Sequence, residues 1–189
     1  MANAAVMAIA HRGASAEAPE NTVAAFDEAI RLGARAVEMD VRLCKDGIPV
    51  ILHDPTVDRT TNGTGAVADL TRLDLLRFDA GSWKHPRFAG TRIPLLTEAL
   101  QAVSDDAIAV LELKEAIDPK MLRRILDEFA PRDRWIMLSF EYEILQAIRR
   151  EIPDAALGLL SDEWQADLPE RCAALGAGIL ALNTWGSKY

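Results

Sequence analysis

Two of the three histidines, His11 and His53, each close an apolar, strand-like run: Val6-Met7-Ala8-Ile9-Ala10 before the first and Ile48-Pro49-Val50-Ile51-Leu52 before the second. Acidic residues close two further runs, Glu38 and Asp40 after Ala36-Val37, and Glu112 with Lys114 after Ile108-Ala109-Val110-Leu111. A polar group at the end of a buried strand is costly to desolvate unless a ligand, ion or partner satisfies it. Four such ends in one chain point to a shared site where parallel strands stop, the place where β/α proteins carry their chemistry.

Glu38 and Asp40 are two residues apart, so on a strand their side chains point to one side. Converging carboxylates repel unless a cation sits between them, and oxygen-only ligands favour a hard ion such as Mg²⁺, Ca²⁺ or Mn²⁺. An exposed edge pair that binds nothing is the alternative on spacing alone. Glu112, at the end of another strand, offers a third carboxylate. His11 and His53 fit a general acid and base, since imidazole titrates nearest neutral pH; metal ligands or satisfied structural histidines are the alternatives, and beside the carboxylates the acid/base reading leads. Arg12 and Lys114 suit an anionic group such as phosphate, or simply neutralise the acidic residues. Asp54 reads as a turn former before Pro55, because adjacent strand residues point apart. His85 reads as a packing histidine, and Trp83 and Phe88 either pack their own segment or line a substrate entrance. Ser139 either touches a ligand or caps the helix that follows it.

The elements that must position these residues alternate. Apolar runs lie near 6–11, 36–43, 48–53, 107–114, 135–140, 155–160 and 178–183, with amphipathic stretches between them. Asn21 or Thr22 can cap a helix that runs to about Leu32 and stops at Gly33. Pro119 can open another, with Met121, Leu122, Ile125, Leu126 and Phe129 on its apolar face. Such alternation predicts an α/β fold with a mostly parallel sheet covered on both faces. Residues 54–94 break the pattern and are too long for an ordinary connection, which predicts an inserted subdomain on the face that carries His53.

The chain has 189 residues, enough for one sizeable core, so 1–189 reads as a single domain. A formal net charge of −8 and the absence of a basic stripe argue against nucleic-acid binding. Cys44 and Cys172 form no CxxC pair and fit a reducing compartment. The start lacks a basic segment before its apolar run, and nothing approaches the length of a membrane span, so the expected location is cytoplasmic. G-x-S-x-G, P-loop and G-x-G-x-x-G motifs are absent.

In order, His11-Arg12-Gly13, Pro19-Glu20-Asn21-Thr22, Glu38-Met39-Asp40-Val41, Lys45-Asp46-Gly47, His53-Asp54, Gly81-Ser82-Trp83, Ile93-Pro94 and Glu112-Leu113-Lys114 resemble the glycerophosphodiester phosphodiesterase family. The resemblance implies a (β/α)₈ barrel of TIM type with one divalent cation, Mg²⁺ or Ca²⁺ with Mn²⁺ as a further candidate. It implies metal ligation by Glu38, Asp40 and Glu112, acid/base roles for His11 and His53, phosphate contacts from Arg12 and Lys114, and a supporting role for Glu20. The implied reaction is hydrolysis of a small-molecule glycerophosphodiester to glycerol 3-phosphate and an alcohol. A lysophospholipase D-type activity on lysophospholipids, or a catalytically weak binding protein, are the alternative functions. Seven strand-like runs in a chain this short fall below the roughly 250 residues of such a barrel. The expectation is a barrel lacking its eighth strand and final helices, with an open edge available to a homo-oligomer.

Overall fold

The computed structural model describes residues 7–103, 107–129 and 134–182. Its six-stranded sheet has the order β2-β1-β3-β4-β5-β6, built from β1 (Ala36–Leu43), β2 (Pro49–Ile51), β3 (Ile108–Leu113), β4 (Trp135–Ser139), β5 (Leu157–Ser161) and β6 (Ile179–Leu182). The steps from β1 through β3, β4, β5 and β6 are all parallel. The end of the 178–183 run, Asn183, lies outside the described residues.

Two of the expected strands differ. The 48–53 run yields β2, which pairs antiparallel with β1 through Val41↔Ile51, Arg42↔Val50 and Leu43↔Pro49. Only Cys44 to Ile48 separate the two, long enough for a hairpin and far too short for a parallel crossover. Gly47 makes the turn at φ 71°, a conformation that favours glycine. Val6 of the 6–11 run lies outside the described residues, and the described part contributes one parallel bridge, Ala10 to Val37, with the Ala10 amide donating to Ala36 O and the Glu38 amide donating to Ala10 O, both at 2.9 Å. Counting that bridge, the parallel series among the described residues has six positions of a possible eight, not seven.

Register decides what each face carries. Ala36↔Ile108, Glu38↔Val110 and Asp40↔Glu112 share one face, while Val37↔Ala109, Met39↔Leu111 and Val41↔Leu113 share the other. Five helices cover the second face: α1 (Val23–Arg31), α3 (Leu96–Val103), α4 (Pro119–Phe129), α5 (Tyr142–Glu151) and α6 (Leu168–Leu175). They bury Phe26, Leu96, Leu122, Leu126, Leu145 and Ile148 against Met39, Leu111 and Met137 in one apolar cluster. Each such side chain contributes about 1.5–3 kcal/mol when fully buried. Among the described residues, no helix is long and apolar enough to cross a membrane.

Thr22 caps α1, its hydroxyl accepting from the Ala25 amide, so the cap is the second of the two residues that the sequence offered. Between β2 and α3 run the short α2 (Arg72–Leu75) and two 3₁₀ turns, Val67–Asp69 and Pro86–Phe88. This stretch packs Val57, Val67, Leu75, Ala80 and Ile93 with Cys44, Val50 and Leu52 into a small apolar cluster of its own.

Candidate active site

Because β1 and β3 are parallel and in register, Asp40 and Glu112 are neighbours on one face, and Glu38 lies two residues before Asp40 on that same face. Glu38, Asp40 and Glu112 are buried, and each offers an oxygen within 4.8 Å of the others'. Asp40 is fully shielded from solvent. Lys114 Nζ lies 2.9 Å from Asp40 Oδ1 and also pairs with Glu112. Arg12 Nε lies 3.2 Å from Asp40 Oδ2, and the Arg12 amide donates to Glu38 Oε2 at 2.9 Å. The backbone at Arg12 is left-handed, φ 59°, in the turn that follows the Ala10 bridge.

The electrostatics follow from burial and from unequal sharing of cations. Burial pushes the Glu38 carboxyl well above its ordinary value, and the neighbouring Asp40 adds to it. Burial also works against ionised Asp40, but Lys114, the Asn21 amide and Arg12 overcome it and hold the group below its ordinary value. Glu112 is raised by burial, with Asp40 adding to the effect while the Lys114 bond pulls against it. Two carboxylate oxygens of the cluster, Glu38 Oε1 and Asp40 Oδ1, are buried without a hydrogen-bond partner among the described residues, and of these Asp40 Oδ1 is ion-paired with Lys114. An orphaned anionic oxygen inside a cluster of three carboxylates fits a hard divalent cation, with Glu38, Asp40 and Glu112 as the available ligands.

The histidines flank this cluster along one cleft of about 640 Å³, lined by His11, Arg12, Glu20, Glu38, His53, Glu112 and Lys114. His11 Nε2 lies 3.8 Å from Glu38 Oε2. Its pKa is lowered by partial burial and then by the Arg12 charge. The rest of the lining is largely apolar, with Ile9, Val110, Leu138, Phe140, Leu160 and Leu182. All eight residues expected at the site therefore come together: Asp40 lies beneath the cleft surface and the other seven line it.

Four further residues organise the site: Asn21 and Asp54, which the sequence offered only as a helix cap, a turn former and parts of the motifs, and Arg42 and Arg59, which it did not single out. Asn21 donates from Nδ2 to Asp40 Oδ2 at 2.7 Å and accepts from the Asp40 amide at 3.2 Å. Arg42 donates from Nε and Nη2 to the His53 carbonyl at 2.9 and 2.8 Å. Asp54, expected only to make a turn, has its Oδ1 2.7 Å from His53 Nδ1. The alternation argument failed there because β2 ends at Ile51, leaving His53 and Asp54 in a bend where strand alternation no longer holds. Arg59 bonds both Asp54 and Glu20.

Other candidates resolve as structural. His85 accepts from the Arg87 amide and caps the 3₁₀ turn at Pro86–Phe88. Ser139 donates to Leu113 O and accepts from the Glu141 amide ahead of α5. Trp83 donates to Ala80 O, Phe88 lies 4.6 Å under the Arg87 guanidinium, and neither lines the cleft.

Comparison with known proteins places this geometry. The sequence profile of the glycerophosphoryl diester phosphodiesterase family matches residues 11–178. A glycerophosphodiester phosphodiesterase of Caldanaerobacter subterraneus is 42% identical over 161 residues, covering 82% of this chain and 66% of that protein. Glycerophosphodiester phosphodiesterase 1 of Bos taurus is 36% identical over 84% of this chain and 50% of its own length. This chain thus spans between half and about two-thirds of these relatives. The solved structure of an Oleispira antarctica phosphodiesterase in complex with the product sn-glycerol-3-phosphate superimposes with a TM-score of 0.88 at 34% identity, covering 94% of this chain and 74% of that one. On the profile match and the relatives alike, the chain belongs to the glycerophosphoryl diester phosphodiesterase family.

Proposed function

We propose that this chain hydrolyses glycerophosphodiesters to glycerol 3-phosphate and an alcohol with the help of one divalent cation, Mg²⁺ or Ca²⁺. The observation that carries the reading is the three-carboxylate cluster with its orphaned Glu38 Oε1, open to a cleft that two histidines and two cationic side chains also line. The related phosphodiesterase whose structure holds sn-glycerol-3-phosphate supports the product side of the reaction.

Glu38, Asp40 and Glu112 would hold the cation, which supplies Lewis-acid stabilisation of charge on the phosphoryl oxygens. Arg12 and Lys114 would bind the remaining phosphoryl oxygens, turning part of their charge from the carboxylates toward substrate. One histidine takes the proton of the incoming oxygen and the other gives a proton to the leaving alcohol. Glu20 supports the site by holding Arg12, whose Nη1 donates to Glu20 Oε1 at 3.0 Å. We read 54–94 as an inserted subdomain on the face that carries His53, and the apolar cluster it forms with Cys44, Val50 and Leu52 supports that reading.

The test is release of glycerol 3-phosphate from glycerophosphocholine by the purified chain, with Mg²⁺ or Ca²⁺ and with chelator. Release that chelator abolishes is expected. A folded sample that binds the ion and releases nothing from glycerophosphocholine, glycerophosphoethanolamine or lysophosphatidylcholine would overturn the reading.

A further inference from the structure

Arg59 lies in the segment between β2 and α3, and its guanidinium is shared between two carboxylates. Nε donates to Asp54 Oδ2 at 2.7 Å and Nη2 to Asp54 Oδ1 at 2.9 Å. Nη1 donates to Glu20 Oε2 at 3.0 Å and Nη2 to Glu20 Oε1 at 2.8 Å. Both carboxylates are bound a second time: Asp54 Oδ1 by His53 Nδ1, and Glu20 Oε1 by Arg12 Nη1. The result is an unbroken run of charge-assisted bonds, His53–Asp54–Arg59–Glu20–Arg12, with both ends on the cleft wall.

The run has a chemical consequence at His53. An ionised carboxylate only accepts hydrogen bonds, so the ring nitrogen facing Asp54 must carry the proton. That leaves Nε2 as the nitrogen available to the cleft. Arg42 already fixes the backbone of this residue through its carbonyl, so what Asp54 adds is control of the ring. Arg59 is 45% exposed, and exposed ion pairs contribute little to stability. Its contribution is therefore geometric. The same segment grips the loop after Arg12 at two more points, with Lys84 Nζ donating to Ser15 O at 2.8 Å and Arg87 Nη2 donating to Glu17 O at 2.9 Å.

Building on the function proposed above, we propose that Arg59 is a positioning residue that locks His53 in its Nδ1–H tautomer and sets it in one frame with Arg12, without touching substrate. Arg59→Gln breaks both bridges. Supporting-residue changes of this kind cost on the order of 10–100-fold in activity, and here the loss is expected in kcat for glycerophosphocholine while KM moves by less than about threefold. Arg59→Lys, which keeps the charge and one carboxylate contact, is expected to recover part of it.

The second readout is the ¹⁵N signature of the imidazoles in the 189-residue chain, where three histidines need assignment. In spectra taken at a pH high enough for the ring to be neutral, the unsubstituted chain should show His53 with Nδ1 protonated and Nε2 bare, and Arg59→Gln should show averaged tautomers. An Arg59→Gln chain with unchanged kcat, or with an unchanged His53 tautomer, overturns the proposal. Should Arg59→Gln fail to fold, Asp54→Asn tests the same link while leaving the Arg59–Glu20 bridge intact, with the same two outcomes deciding. If the unsubstituted chain releases no glycerol 3-phosphate, the hydrolysis reading fails by itself, and the tautomer spectra still decide the role of Arg59.

Discussion

Asn21 and Asp40 clasp each other twice, the side-chain amide donating to the carboxylate at 2.7 Å and the Asp40 main-chain amide donating back to the Asn21 side-chain oxygen at 3.2 Å. Asn21 achieves this from a left-handed backbone, φ 57°, which asparagine tolerates better than most side chains. The clasp ties the loop entering α1 to the centre of the carboxylate cluster, where Asp40 has no contact with solvent.

Removing the clasp should therefore be expensive. Asn21→Gly keeps the conformation and loses the two hydrogen bonds of the clasp, one of them to a buried charge. Asn21→Ala adds the left-handed cost, and is expected to lower stability by about 2–4 kcal/mol in total. Urea unfolding at pH 7 checks both. The glycine variant should be the more stable by about 1 kcal/mol, and equal midpoints would show that the backbone at this position carries no strain.

Gly13 tests the same loop from its other end. Its φ is 80°, and a Cβ there would lie 2.7 Å from the backbone of Ala25 in α1. Backbone atoms inside a helix cannot swing aside as a flexible side chain can. Gly13→Ala is expected to cost about 2–4 kcal/mol, combining backbone strain with overpacking. Since Arg12 is the preceding residue, the binding of Mg²⁺ or Ca²⁺ measured by calorimetry should weaken as well. A variant with unchanged melting temperature and unchanged affinity would show that α1 yields.

The carboxylate cluster was legible in the sequence because strand alternation is legible. Period-2 spacing alone put Glu38 and Asp40 on one face, and an apolar run ending in Glu112 supplied the third carboxylate. What sequence spacing could not carry was everything that depends on where a strand stops. β2 ends two residues before His53, so Asp54 is free to turn back onto the imidazole, and no local pattern marks that turn. Arg42 and Arg59 reach across the fold with long side chains, and their partners follow from tertiary proximity rather than from any spacing. The antiparallel direction of β2 was recoverable, since its short link to β1 leaves no room for a crossover.

Asp79 gives a pH dependence whose sign is fixed. Its carboxylate accepts from the amides of Gly81, Ser82 and Gly90 and from the Ser82 hydroxyl. These bonds, first among them that from Gly90, hold its pKa well below the ordinary value. A depressed folded-state pKa means the unfolded chain takes up the proton first as pH falls. The contribution of Asp79 is thus fully present above its unfolded value of about 4 and is lost as pH drops toward the folded one. Asp79→Asn should unfold at lower urea than the unsubstituted chain at pH 7, and the gap should narrow below about pH 4. A gap that widens in acid would contradict the assignment.

Glu38 makes the opposite prediction and separates stability from function. Its carboxyl is buried, raised in pKa, and bears an oxygen without a partner, so its ionised form opposes folding when no cation is present. For a raised carboxyl, the sign reverses: the folded state holds the proton more tightly, and the group costs stability as pH rises past its unfolded value. Glu38→Gln removes that charge at nearly constant shape, so the metal-free variant should melt at the same temperature as the unsubstituted chain or above it. Divalent ion should raise the melting temperature of the unsubstituted chain, with about 2.7 kcal/mol of stabilisation at 100 times the dissociation constant. The variant should lose most of that rise together with chelator-sensitive turnover. Thermal unfolding with and without Mg²⁺ or Ca²⁺ distinguishes the outcomes, because a Glu38→Gln chain that is less stable without metal would mark Glu38 as a structural anchor rather than a ligand.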